Sequence, residues 1–150
     1  RDEDNGCIAH KAEALGIAPA LQLHGVGLLA FHGVPGGHEF TSFVLGLYNA
    51  AGPGQALDEE SRAAIQAIQK QTDLQILVSL SCTMCPELVT AAQRIAAENP
   101  NITAQVYDLN HFPDLREKYQ VMSVPCLVVN HGEQVSFGKK NVRQLLELFR

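Results

Sequence analysis

Two cysteines separated by two residues, Cys82 and Cys85, lie where an apolar run meets a helical pattern. Residues 74–80 have the length and near-continuous apolar character of a strand that is buried on both faces. Residues 86–99 then place apolar side chains at helical spacing, and Pro100 cannot continue that helix. The pattern predicts a parallel β-α-β unit with the cysteine pair at its strand-to-helix junction.

The rest of the second half continues this alternation. Asn130, His131, Gly132 and Glu133 have the chemistry of a hairpin turn, so the strands on either side of them should be antiparallel. The predicted order after the cysteines is strand, helix, strand, strand and helix, at residues 102–108, 112–119, 126–130, 134–137 and 141–149. Together with the first strand and helix, this predicts an α/β unit with the order β-α-β-α-β-β-α.

The first seventy residues carry a shorter version of the same series. Two short strands are expected at residues 20–23 and 27–31, and a helix is expected at residues 39–49. Asp58 should cap a further helix that reaches to about Lys70. A series of proline, strand, strand and helix therefore follows Ala18-Pro19 and again Val124-Pro125. We interpret this as a weak internal repeat whose first copy lacks the opening β-α-β.

The position of the cysteine pair suggests redox chemistry. If Cys82 caps the helix, the unpaired N–H groups and the helix dipole should favour its thiolate form. Cys85 would lie one turn later on the same face, close enough to form a disulfide. Cys82 would then attack a partner disulfide and Cys85 would resolve the mixed intermediate. The alternative is half of a zinc site, which Cys126 and His131 could complete.

A second informative segment precedes the strand at residue 126. Pro125 constrains Val124 to extended geometry, and a cis bond between them would present the Val124 backbone to an extended partner segment. Thr83 and Met84 lie between the two sulfurs and carry no charge. We therefore expect Thr83, Met84, Val124 and Pro125 to form the substrate-binding surface.

Composition excludes several classes of protein. Hydrophobic residues make up 46% of the chain and charged residues 18%, which is typical of a soluble globular domain. The net charge is −5 and the 11 Lys and Arg residues are scattered, which argues against nucleic-acid binding. No apolar run is long enough to span a membrane. Four cysteines are too few for a disulfide scaffold, and with no export signal the cytoplasm is the expected location.

Three strings carry a resemblance to a known family: residues 36–42, residues 79–86 and residues 121–125. They resemble the N-terminal domain of the alkyl hydroperoxide reductase flavoprotein subunit, which is related to thioredoxin reductase. The resemblance implies two fused thioredoxin-like folds, of which the first lacks the cysteine pair. The expected divisions are an N-terminal fragment segment, a partial first unit, a connecting helix and a complete thioredoxin-like unit, at residues 1–16, 17–52, 53–71 and 72–150.

The resemblance also implies a function. Electrons would pass from NAD(P)H through FAD in a flavoprotein reductase domain, in the same or another chain, to Cys82 and Cys85. They would pass from there to a peroxiredoxin or another disulfide protein, and neither a cofactor nor a metal is expected in this domain. Cys82 would be the attacking thiol, Cys85 the resolving thiol, and Glu39 a proton acceptor and donor beside them.

The sequence also departs from the family pattern and leaves rival functions open. Cys126 replaces the small apolar residue that usually follows the proline, and is interpreted as a buried core residue or a third thiol near the pair. Cys7 lies in a polar N-terminal segment and is interpreted as an exposed residue without a role in the site. The rival functions are a glutaredoxin-like carrier reduced by glutathione, a non-catalytic domain with structural zinc, and a peroxidase that uses Cys82 directly.

Overall fold

The computed structural model describes residues 8–11, 20–24 and 27–149. Seven strands and five helices lie within these ranges. The strands are β1 (Ile8–Lys11), β2 (Ala20–His24), β3 (Leu28–His32), β4 (Thr72–Val78), β5 (Ile102–Asp108), β6 (Cys126–Val129) and β7 (Gln134–Phe137). The helices are α1 (Glu39–Ala51), α2 (Glu59–Gln66), α3 (Cys85–Glu98), α4 (Asp114–Lys118) and α5 (Val142–Glu147).

The strands form one sheet in the order β1-β2-β3-β5-β4-β6-β7. Strands β4 and β5 are parallel, as the β-α-β pattern predicts, and β6 and β7 add antiparallel neighbours. Strand β3 pairs with β5 in parallel, from Leu28 opposite Thr103 to His32 opposite Tyr107. We call β1, β2, β3 and α1 the first unit and β4 to α5 the second unit. This pairing joins the two units into a single sheet.

Apolar side chains cover both faces of the sheet. On one face, helices α1, α2, α3 and α5 contribute to a core that includes Ala50, Ile65, Ile95 and Leu145. On the other face, a smaller cluster forms where Tyr119 and the residues around α4 pack on the sheet. Helix α3 buries most of its residues, including Leu88 and Ile95, so it is the central helix of the larger core.

The fold confirms the predicted α/β class and the arrangement of a complete unit packed on a partial one. The antiparallel hairpin of β2 and β3 followed by α1 matches the hairpin of β6 and β7 followed by α5. Helix α2 ends at Gln66, earlier than predicted. Strand β1 was not predicted: it lies within residues 1–16 and pairs antiparallel with β2. Cys7 and Ala18-Pro19 lie outside the described residues, and the proposed division limits stay predictions.

None of the helices in the described part of the chain combines the length and apolar character that crossing a membrane requires.

Candidate functional site

The two cysteines of the site, together called the dithiol, lie in a turn and at the start of a helix. After β4 the chain turns, and the N–H of Cys82 donates to the carbonyl oxygen of Ser79 at 3.0 Å. Helix α3 begins at Cys85, with Met84 as its N-cap residue. The prediction that Cys82 caps the helix is therefore wrong, because Cys82 lies in the turn that precedes the helix and Met84 is the N-cap residue. Pro86 fits a start at Cys85, since proline in the first helical turn sacrifices no intrahelical hydrogen bond.

The two thiols have different surroundings. Both are free, but Cys82 is half-buried whereas Cys85 is 0% exposed. The Cys82 thiol donates a long hydrogen bond to the carbonyl oxygen of Val124 at 3.9 Å. Burial raises the pKa of Cys85 well above its usual range, and its hydrogen bond with Cys82 and the charges of Cys82 and Glu39 raise it further. The arrangement therefore offers one accessible sulfur and one sheltered thiol that stays protonated until a base accepts its proton.

Glu39, the first residue of α1, places a carboxyl group near the dithiol. Its side chain is 0% exposed, and its charge acts on Cys85. Burial disfavours the carboxylate and raises the pKa of Glu39 to about 7, although a hydrogen bond from Ser42 partly opposes this. Its Oε1 receives that bond, while Oε2 finds no hydrogen-bond partner among the described residues. A carboxyl group with such a pKa can accept and return a proton near neutral pH.

Backbone contacts hold the start of α1 against the loop before the dithiol. The N–H of His38 donates to the carbonyl oxygen of Leu80 at 3.0 Å. Gly37 has a φ of +53°, and a Cβ atom there would lie 2.5 Å from the same Leu80 oxygen. Glycine is therefore required at this position on both conformational and steric grounds. This contact places the Gly-Gly-His-Glu string before and at the start of α1 against the loop that leads to the dithiol.

The residues expected to bind substrate surround the accessible sulfur only in part. The Val124–Pro125 peptide bond is cis, and the Val124 carbonyl group contacts Cys82. Thr83 and Met84 are exposed beside Cys82 in the chain, with Met84 50% exposed. Pro125, by contrast, is buried. Met122, which lies in the 121–125 string and precedes Val124 by two residues, is also strongly exposed.

Cys126 is separated from the dithiol. Its side chain is fully buried in the smaller cluster with Leu77 and Tyr107, whereas Cys85 belongs to the larger core. Burial raises the pKa of Cys126 to about 11, although the nearby charge of Lys140 lowers it. The role of a buried core residue fits this position and that of a third thiol at the site does not. Within the described ranges, no cluster of three or more His, Cys, Asp or Glu side chains could hold a metal ion.

A cavity of about 430 Å³ adjoins the site between α1, α3 and α5. Ser42 lies in its wall on the α1 side, and Pro86 and Arg94 line it on the α3 side. Ser42 ends the 36–42 string, but its sequence pattern predicts neither a role for it nor this cavity. The available signal for Ser42 was its spacing of three residues from Glu39, which places both on one face of a helix.

Comparison with known proteins agrees with the fold. The family model described as a thioredoxin domain matches residues 72–150. The F subunit of alkyl hydroperoxide reductase in Pseudomonas aeruginosa is 38% identical over 118 residues, which cover 79% of this chain and 22% of that protein. The chain thus matches 22% of the length of the first curated relatives.

Solved structures show the same relationship. The crystal structure of the NTD_N/C domain of alkylhydroperoxide reductase AhpF from Enterococcus faecalis has a TM-score of 0.83 and 37% identity, covering 89% of this chain and 66% of that one. A protein disulfide oxidoreductase from Aeropyrum pernix shares the fold, with a TM-score of 0.79 at 24% identity over 88% of this chain and 58% of that one. The chain therefore belongs to the thioredoxin domain family, with the N-terminal domain of alkylhydroperoxide reductase AhpF as a structural relative.

Proposed function

We propose that this domain is a thiol–disulfide oxidoreductase that acts on protein disulfides through Cys82 and Cys85. The observation that carries the proposal is the pairing of a partly exposed Cys82 with a fully buried Cys85 at the start of α3. An attacking thiol needs access to a partner, and a resolving thiol must stay inactive until the mixed disulfide forms. The same contrast argues against two equivalent metal ligands.

The proposed reaction moves two electrons to the partner in two steps. The Cys82 thiolate attacks one sulfur of the partner disulfide, which forms a mixed disulfide and releases a partner thiolate that takes up a proton. Glu39 then accepts the proton of Cys85, and the resulting thiolate attacks the Cys82 sulfur. This step closes the Cys82–Cys85 disulfide and releases the second partner thiolate, to which Glu39 returns the proton.

The partner should approach the surface formed by Thr83, Met84, Val124 and Pro125. Thr83 and Met84 offer exposed contacts beside Cys82, and Val124 offers backbone groups to an extended segment. Pro125 contributes by orienting Val124, since it is itself buried.

The names of the relatives suggest where the electrons come from and go. We infer that a flavoprotein reductase domain, in the same chain or a separate one, passes electrons from NAD(P)H through FAD to the dithiol. The acceptor would be a peroxiredoxin or another disulfide protein, and the domain itself would need no cofactor. The proposed location is the cytoplasm. A glutaredoxin-like carrier would instead accept electrons from glutathione alone.

The test is reduction of a protein disulfide, such as insulin, by the 150-residue chain with dithiothreitol as electron source. Cys82→Ser should lower the rate to the uncatalysed background, and Cys85→Ser should accumulate the mixed disulfide with substrate. Cys126→Ser is the matched control and should retain the rate, because Cys126 lies in the other core cluster. A normal rate for Cys82→Ser would refute the proposal.

Redox titration separates the rival functions. Equilibration in glutathione buffers should show a reversible Cys82–Cys85 disulfide with a midpoint between about −180 and −270 mV, the range of catalytic exchangers. A pair that stays reduced throughout and contains stoichiometric zinc would favour the structural-metal alternative. Rapid reduction by glutathione without a flavoprotein would favour the glutaredoxin-like alternative, and peroxide consumption by the isolated chain would favour the peroxidase.

A further inference from the structure

Ser42 makes two hydrogen-bond contacts with the same residue. It lies one helical turn after Glu39 and is only 1% exposed. Its Oγ lies 2.9 Å from the Glu39 carbonyl oxygen and is also within hydrogen-bond distance of Glu39 Oε1. A serine hydroxyl has one proton and two lone pairs, so it can give a full two-centre hydrogen bond to only one of these oxygens at a time. The direction of the two bonds must therefore depend on the protonation state of the carboxyl group.

The same two contacts of Ser42 can satisfy the hydrogen-bonding groups of Glu39 in both its ionised and its protonated state. When Glu39 is ionised, the Ser42 hydroxyl donates to Oε1 in a charge-assisted hydrogen bond. When Glu39 is protonated, its carboxyl group can donate to Ser42 Oγ, and the hydroxyl then donates to the Glu39 carbonyl oxygen. Rotation of one hydroxyl group, without movement of heavy atoms, accommodates the change.

We propose that Ser42 is a positioning residue whose hydroxyl reverses its hydrogen bond as Glu39 gains and loses a proton. The inference rests on the proposed role of Glu39 in thiol–disulfide exchange. A buried carboxylate without a donor would carry a large desolvation cost, and each proton transfer would then favour moving the side chain towards solvent. The hydrogen bond from Ser42 stabilises the buried carboxylate and so removes this tendency. The carboxyl group therefore stays in the same position near Cys85 whether it is ionised or protonated.

Among the groups around Glu39, Ser42 is the one whose hydrogen bond opposes the effect of burial on the Glu39 pKa. The charge of Glu39 raises the pKa of Cys85, which also forms a hydrogen bond with Cys82. The titratable residue next to Glu39 in the chain is His38, the N-cap residue of α1. The charged side chains that border the adjoining cavity are Glu87 and Arg94. The Arg94 guanidinium group is engaged by Glu98, at 2.8 Å, and by a backbone carbonyl group. Burial raises the pKa of Glu39 and the Ser42 bond lowers it.

The first measurement is the ionisation of Glu39 in the 150-residue chain as a function of pH. It is monitored by ¹³C NMR of labelled carboxyl groups, and the Glu39→Gln variant assigns the signal. In Ser42→Ala the titration midpoint should rise by about one pH unit, since a hydrogen bond to a charged group is lost. Ser42→Thr should restore the wild-type midpoint, because it keeps the hydroxyl and its methyl group can enter the adjoining cavity. Thr41→Ala, in the same cavity wall, should change nothing.

The second measurement is the pH profile of the exchange rate. The ratio of wild-type to Ser42→Ala rates should fall about tenfold between pH 6 and pH 9, as the difference in Glu39 ionisation disappears. A merely structural defect would lower the rate by the same factor at every pH.

The outcomes separate the two proposals. An unchanged midpoint in Ser42→Ala, or an equal shift in Thr41→Ala, overturns the inference about Ser42. It leaves Glu39 as proton acceptor if Glu39→Gln still slows exchange. If the Glu39 titration midpoint shifts in Ser42→Ala but the ratio of wild-type to variant rates does not change with pH, Glu39 has no role in exchange. The proposed role of Ser42 is then overturned as well. If Ser42→Ala does not fold, a Ser42→Thr variant with a displaced midpoint or an altered profile overturns the inference.

Discussion

The two hairpin-helix segments of the molecule share a plan but bury opposite kinds of side chain. Helix α5, after β6 and β7, begins with a capping box at Asn141 and buries Leu145 and Leu146. Helix α1, after β2 and β3, begins at His38, whose side chain makes no capping hydrogen bond. Its buried residues are Glu39, Ser42, Gly46, Asn49 and Ala50, whereas Phe40, Val44 and Tyr48 are exposed.

The difference shows that α5 contributes leucines to the core, whereas α1 buries a carboxyl group near the dithiol. Helix α5 gains stability from a satisfied N-terminus and from buried leucines. Helix α1 instead turns its polar and small residues inwards, which allows close approach to α3. A Cβ atom at Gly46 would lie 2.8 Å from the side chain of Gln93. The buried Glu39 is costly as a carboxylate, so it does not stabilise the fold when it is ionised.

The largest expected contrast concerns the apolar residues of the two helices. Leu145→Ala should lower the free energy of unfolding by about 2–5 kcal/mol, because it opens a cavity in the larger core. Phe40→Ala should change it by less than about 0.5 kcal/mol, since Phe40 is 59% exposed. Urea denaturation of both variants measures the two values. Equal costs would show that the exposed side of α1 is stabilising and would remove the contrast.

A second comparison uses pH. The pKa of Glu39 is raised from 4.5 to about 7 in the folded chain, so the folded state binds more protons than the unfolded state between these values. This contribution to the free energy of unfolding is fully present below pH 4.5 and is lost as the pH rises through 7. The loss amounts to up to about 3 kcal/mol. Glu39→Gln should therefore become more stable relative to wild type as the pH rises from 4 to 8. The measurement is the free energy of unfolding of both proteins as a function of pH. Curves that stay parallel from pH 4 to pH 8 would contradict this prediction.

The smallest expected effect lies at the helix starts. Asn141→Ala should cost about 1 kcal/mol, since the side chain of Asn141 accepts the N–H of Gln144 and its own N–H is capped in return. His38→Ala should cost much less, because only the backbone of His38 makes the described bond to Leu80. Thermal unfolding of the two variants distinguishes these values, and a larger loss for His38→Ala would reverse the comparison.

Local patterns predicted those parts of the fold that depend on neighbours in the chain. The strand, turn and helix signals around β4, α3 and the β6–β7 hairpin appear in the structure within a few residues. The predicted helix at residues 86–99 begins within one residue of α3, but its N-cap residue is Met84 and not Cys82. The preference of Pro86 for the first helical turn favours this start at Cys85. Strand β1 has no alternating pattern and depends on pairing with β2. Pattern alone leaves Glu39 as a first-turn acid, and only the resemblance placed it near the dithiol.

That placement depends on a contact between residues far apart in sequence. Strand β3 pairs with β5 over five residues, and α1 follows β3 directly. No periodicity within α1 could reveal which helix or loop its first residue would meet.

The pairing of β3 with β5 also has a kinetic consequence. A proton acceptor held on a separate protein would have to diffuse to the dithiol and lose translational and rotational freedom in each catalytic cycle. Here the acceptor proposed for the reaction lies on helix α1 and the two sulfurs lie at and just before the start of α3, and both helices belong to units joined by one continuous sheet. Its effective concentration is therefore fixed when the chain folds, and does not depend on how much of any other protein is present.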